Sequence, residues 1–142
     1  MLYTPLTKKA MRICFDAHKD QTDKAGLPYV FHPLAVASQM TTENEICVAL
    51  LHDTVEDTDT TLDDLARDFP PAVIGALRLL THADDVPYMD YVRAIRGNRL
   101  ACKVKLADLR HNSDLSRLDE VTPEDLARCE KYKAAIRLLT GE

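Results

Sequence analysis

Helix-start signals punctuate the whole chain, and no stretch of it alternates as a strand does. Thr4 stands ahead of Pro5, and Leu6, Ala10, Ile13, Cys14 and Ala17 follow with a helical period of about 3.6 residues. Thr42 with Glu45 three positions later reads as a capping box ahead of Ile46, Val48, Ala49, Leu50 and Leu51. Thr61 with Asp64 approximates the same device, Pro70-Pro71 opens "AVIGALRLLTH", and Thr122-Pro123 opens a periodic run that lasts to Leu139. Residues 22–29 and 82–90 carry Gly or Pro among polar residues and read as loops, with a further helix over 88–96 and a long one through "NRLACKVKLADLRHNSDL". Glycine is scarce, at four residues, and there is no repeat, low-complexity tract or linker. These signals predict a compact all-α fold of roughly seven or eight helices, forming one domain over 1–142.

Composition narrows the partners. Eighteen basic against twenty-three acidic residues give a net charge of −5, which argues against nucleic acid or an anionic membrane as the main partner. A small anionic ligand stays compatible, because a metal or a local basic patch overrides the net sign. Cys14, Cys47, Cys102 and Cys129 form no CxxC pair and read as reduced, packed thiols. No segment approaches the ~20 apolar residues of a membrane span, so the expectation is a soluble, cytoplasmic protein.

Residues 50–58, "LLHDTVEDT", run from two leucines straight into His52, Asp53, Glu56 and Asp57. On a continuous helix His52 and Glu56 lie on neighbouring turns, with Cβ atoms about 5–6 Å apart, as do Asp53 and Asp57. Carboxylates beside an apolar core need compensation. A divalent cation supplies it, though acidic residues after a capped helix are also routine on surfaces, as Asp59 and Asp63 illustrate. His32, at a helix start in "PYVFHPLAVA", and Asp108, in the otherwise apolar "VKLAD", favour the cation. Two imidazoles with two carboxylates suit Mn, Fe, Co or Mg with positions left for water, rather than a closed thiolate zinc site.

Three separated stretches, "AHKDQTDKAGLPYVFHPLAVA", "ALLHDTVEDTDTTLDDLARDF" and "KVKLADLRHN", carry a resemblance that covers nearly the whole chain. In these the chain resembles the HD superfamily of metal-dependent phosphohydrolases. It is closest to the hydrolase domain of RelA/SpoT proteins and its small stand-alone relatives, including the metazoan SpoT homologues. The resemblance implies the all-α HD-domain fold and one Mn²⁺ per chain. It implies removal of the 3′-pyrophosphate from guanosine tetra- or pentaphosphate, the alarmones of the stringent response.

By matching position it implies His32, His52, Asp53 and Asp108 as metal ligands, and Glu56 and Asp57 as the acidic pair that orients and activates water. It also implies Asn112 beside the substrate sugar and phosphate, Lys24 as a basic group of the loop, and Tyr132 as an aromatic beside the pocket. The chemistry of phosphoryl transfer calls for basic groups at the rim, for which Lys105 and Arg110 are further candidates.

Two departures from the family stand out. The loop reads "TDKAG", with Asp23 where the family carries an Arg that packs on guanine, which predicts a lost base contact. "LADLRHN" inverts the Arg-Leu order of many relatives. The other histidines read as structural: His18 tying the first helix to the next loop, His82 capping its helix, and His111 pointing away from the metal face. The leading expectation is a ppGpp hydrolase. An HD-type phosphatase of another nucleotide, such as NADPH or a nucleoside phosphate, and a non-catalytic nucleotide-binding module are the alternatives.

Overall fold

The computed structural model describes residues 1–141. Among these, helices α1 (Pro5–His18), α2 (Phe31–Ala37), α3 (Glu43–Leu51), α4 (Thr54–Asp57) and α5 (Leu62–Ala66) come first. They are followed by α6 (Pro71–Leu80), α7 (Tyr88–Ile95), α8 (Arg99–Asn112), a 3₁₀ turn (Leu115–Arg117) and α9 (Pro123–Thr140). The described residues contain no strand, only an isolated bridge between Thr22 and Pro28. Capping boxes form at Thr4, Thr42, Thr61 and Thr122, the positions read from the sequence except that at Thr4 the reciprocal partner is Thr7. Among the described residues no helix is long and apolar enough to cross a membrane.

Helix α3 is the axis of the molecule. Ile46 through Leu51 are all buried, because the helix is covered on every side by α1, α2, α6 and α8. Each of Ile46, Leu50 and Leu51 contributes about 1.5–3 kcal/mol through removal from water. Cys14 and Cys47 pack into the same core, and burial pushes both thiols up to about 12, so they behave as small hydrophobes. All four cysteines are unpaired.

The helix does not continue through His52, as a continuous reading of "LLHDTVED" requires. It ends at Leu51, and α4 starts anew at Thr54. Side-chain donors take over the carbonyls of the last turn: Thr54 Oγ1 donates to Leu51 O at 2.8 Å, and His52 Nδ1 to Ala49 O at 2.5 Å. The break places His52 and Asp53 at a helix terminus rather than along a helix face.

Glu45 closes the start of α3 and ties it to α8. Its carboxylate accepts from Thr41 N and Thr42 N at 3.0 and 3.2 Å and from Lys103 Nζ at 3.0 Å. Burial pushes its carboxyl up, but the Thr41 and Thr42 N–H groups and the Lys103 ammonium outweigh that and bring it down to about 2. A depressed carboxyl stabilises the fold above its unfolded pKa and loses that contribution as it is protonated. Glu45→Ala therefore costs about 1 kcal/mol at neutral pH. In thermal melts the gap between the two proteins closes as pH falls from 4.5 toward 2. A gap independent of pH would contradict this assignment.

Candidate metal centre

Three helix ends and one helix interior converge on a point. His32 is the second residue of α2, His52 caps the C-terminus of α3, Asp53 opens α4, and Asp108 comes from the buried face of α8. Asp108 Oδ1 lies 2.8 Å from His32 Nε2 and 3.3 Å from His52 Nε2. Asp53 Oδ2 lies 3.1 Å from His52 Nε2 and 3.7 Å from His32 Nε2. The four ligand atoms all fall within 4.8 Å of one another, so the cluster expected from the sequence assembles and can hold a metal ion.

Proton bookkeeping shows that a cation fits. His52 Nδ1 sits against a carbonyl and must carry its proton there, which leaves the Nε2 lone pair facing two carboxylates. Burial alone would lower the His52 pKa, but Asp53 and Asp108 raise it well above its ordinary value. The site thus demands positive charge at Nε2. His32 Nδ1 lies 2.7 Å from His111 Nδ1, so one of these nitrogens donates to the other. Burial, Arg117 and His32 lower the His111 pKa, which keeps that ring neutral and able to accept, freeing His32 Nε2 as a ligand. His111 therefore backs His32 of the cluster instead of pointing away from it. The cause is that its ring stacks on His32 with centroids 4.9 Å apart.

Neighbouring groups hold the carboxylates. The Tyr29 hydroxyl donates to Asp53 Oδ2 at 2.5 Å, and burial followed by the Asp53 charge raises its pKa, so it stays a donor. Lys105 Nζ bonds Asp108 Oδ2 at 2.9 Å, and Asn112 Nδ2 bonds Asp108 Oδ1 at 3.1 Å. Burial pushes the Asp108 carboxyl up, but Lys105, His32 and His52 bring it well below its ordinary range. From α4, Glu56 and Asp57 border the cluster. The Glu56 carboxyl is raised by burial and then by Asp57 and Asp53, and Asp57 by burial and then by Asp53.

A cavity of about 390 Å³ opens against the cluster, with Tyr29 and His32 in its wall. Lys24, Asn112 and Tyr132 line it, as expected, together with Arg117 and Arg128, which sequence reasoning missed. Lys105 and Arg110 are absent from that lining: Lys105 is held by Asp108 and lies over the Tyr91 ring at 5.3 Å, and Arg110 is exposed on α8. Lys105 thus braces Asp108 instead of meeting the cavity.

His18 does tie α1 to its loop, with Nδ1 2.7 Å from Gln21 Oε1. At the end of α6 Thr81 Oγ1 bonds Leu77 O at 2.9 Å, and the Nε2 of the next residue, His82, meets Val86 O at 2.5 Å, closing the 82–86 turn. Tyr29 was legible in principle, since it stands one turn before His32, whose N–H bonds its carbonyl at 2.9 Å.

No protein-family model matches the chain. Curated relatives do. The chain is 34% identical over 134 residues to the zebrafish (Danio rerio) guanosine-3′,5′-bis(diphosphate) 3′-pyrophosphohydrolase MESH1, covering 85% of this chain and 73% of that protein. It is 38% identical over 120 residues to the human (Homo sapiens) MESH1, covering 75% and 66%. It is also 31% identical over 120 residues to the bifunctional (p)ppGpp synthase/hydrolase SpoT of Escherichia coli, covering 74% of this chain but 17% of that protein. Among solved structures, that of a metazoan orthologue of SpoT, described as hydrolysing ppGpp, superposes with a TM-score of 0.79 at 26% identity, over 99% of this chain and 89% of the other. The chain belongs to the family of these SpoT-type guanosine-3′,5′-bis(diphosphate) 3′-pyrophosphohydrolases.

Proposed function

We propose that this protein is a Mn²⁺-dependent hydrolase that converts guanosine 3′,5′-bis(diphosphate) and water to GDP and pyrophosphate. One observation carries the reading: a cavity of nucleotide size, with Lys24 and Arg128 in its wall, reaches the His32–His52–Asp53–Asp108 cluster at His32. The relatives named for this activity support the substrate. We assign the protein to the cytoplasm, where the four unpaired thiols and the nucleotide substrate both belong. We also assign residues 1–142 to one hydrolase domain.

His32, His52, Asp53 and Asp108 would hold the divalent cation, which when bound supplies Lewis acidity toward water and toward phosphoryl oxygens. Mixed imidazole and carboxylate donors suit Mn²⁺. Glu56 accepts the proton of the attacking water, and its raised pKa brings it closer to the range where general bases work well. Asp57, beside it, keeps negative charge on that edge and so helps hold the Glu56 pKa up. The water oxygen bonds to the phosphorus attached to O3′ as the P–O3′ bond breaks, and O3′ takes a proton from solvent, to which Glu56 returns the one it accepted, to become the hydroxyl of GDP.

Substrate phosphates meet the cations of the cavity. The Lys24 pKa is lowered by partial burial and then by Arg128, so an incoming anion relieves crowded positive charge. Asn112 bridges ligand and substrate, bonding Asp108 with one amide hydrogen while lining the cavity. Tyr132 offers a ring and a hydroxyl to the same space.

Incubation of the Mn²⁺-loaded protein with ppGpp, resolved by chromatography, tests this directly. Equal amounts of GDP and pyrophosphate, lost on adding chelator, are expected. Intact ppGpp beside protein shown to hold its metal would overturn the substrate assignment.

A further inference from the structure

Asp23 contributes a carboxylate to a cavity that must receive an anion, and the structure shows why this is tolerated. The side chain is 10% exposed, and Oδ1 accepts from Ala25 N and Leu27 N, both at 2.9 Å. Gly26, at φ +81°, lets the chain turn tightly enough to bring those N–H groups round. Oδ2 is left facing Arg117 Nη1 at 3.4 Å. Arg117 comes from the 3₁₀ turn after α8, and its Nη2 donates to His111 O at 3.3 Å. Its Nε is buried without a partner.

One hydrogen on each Nη is directed at a protein acceptor, Asp23 Oδ2 or His111 O, which fixes the plane of the guanidinium. A neutralised, fixed guanidinium still presents a flat polarisable face. Leu115 and Leu118, its neighbours in the chain, line the same cavity and add apolar surface. Lys24, next to Asp23, lines the same cavity beside the Arg128–Asp125 ion pair. The cavity thus carries two carboxylate-paired guanidiniums, Arg117 on Asp23 and Arg128 on Asp125, beside the Lys24 ammonium, and of the two it is Arg117 that is flanked by leucines.

We propose that Arg117, aimed by Asp23, is the nucleobase platform of this cavity: the base stacks on its guanidinium face, and Asp23 is the positioning residue. The proposal rests on the nucleotide hydrolase reading and adds to it where and how the base is held. Asp23 is then one half of a built pair rather than the loss of a base contact.

Arg117→Lys keeps the charge and removes the plane, so it separates stacking from phosphate binding. With Mn²⁺-loaded protein, the KM for ppGpp is expected to rise roughly 10-fold in both Arg117→Lys and Arg117→Ala, with a smaller change in kcat. Asp23→Asn should raise KM less, and adding Asp23→Asn to Arg117→Ala should change nothing further. A KM for Arg117→Lys equal to that of wild type would overturn the platform.

Calorimetric binding of GDP, ADP and UDP, with inorganic pyrophosphate as the base-free control, keeps the test independent of turnover. Diphosphate binding weakened in Arg117→Lys while pyrophosphate binding is unchanged supports the platform even if ppGpp is not hydrolysed. Wild-type protein that binds none of the nucleotides, or a variant that binds them as wild type does, would refute it.

Discussion

Glu56→Gln is expected to reduce ppGpp hydrolysis by roughly 10²–10⁴-fold, the usual contribution of a positioned general base. Its metal content should stay at the wild-type level, because Glu56 is outside the four-residue cluster. The substitution keeps the shape of the side chain and removes only its ability to take a proton. Two features make Glu56 the candidate. It stands on the short α4 that the break after Leu51 sets beside the cluster, and its carboxyl is raised by burial, by Asp57 and by Asp53. Steady-state kinetics with metal analysis of the same samples checks this. Unchanged kcat in the metal-loaded variant would remove Glu56 from the mechanism.

Asp108→Ala should be damaging in a second, separable way. Asp108 is both the carboxylate of the cluster that touches the two histidines and the partner of Lys105, whose side chain is 12% exposed. Removing the carboxylate strands a buried ammonium, which costs about 3–5 kcal/mol and lowers the melting temperature by roughly 10 °C or more. On the proposed reading the same change removes a metal ligand and with it turnover. Adding Lys105→Met should recover most of the melting temperature, because the stranded charge is gone, and should recover no activity. A double variant that melts as low as Asp108→Ala would show that Lys105 is not the source of the loss. Retained turnover in either protein would dismiss Asp108 as a ligand.

The four-residue cluster was legible because each residue broke a local rule. His52 and Asp53 interrupt an apolar run, Asp108 sits among Val104, Ala107 and Leu109, and His32 opens a helix without a side-chain cap. Charge against an apolar background signals compensation, and the only economical one is shared. The helix starts were legible for a related reason, since capping boxes are written in residues three apart.

What escaped the sequence lies in contacts between distant segments. His111 and His32 are 79 positions apart and Arg117 and Asp23 are 94 apart, so neither pairing leaves a local trace. Lys105 looked like a rim cation because periodicity gives the face of a helix but not the partner waiting there. The break after Leu51 was hidden as well, since His52 and Thr54 cap α3 through side chains that also occur inside helices.

The central claim, that one metal held by these four side chains drives ppGpp hydrolysis, is met most directly by a titration. Chelator-stripped protein is given Mn²⁺ in steps, and bound metal and ppGpp turnover are measured on each sample. Turnover should rise in proportion to bound metal and level off at one ion per chain, with His32→Ala neither binding tightly nor turning over. Full turnover in stripped protein, or in His32→Ala, would contradict the account.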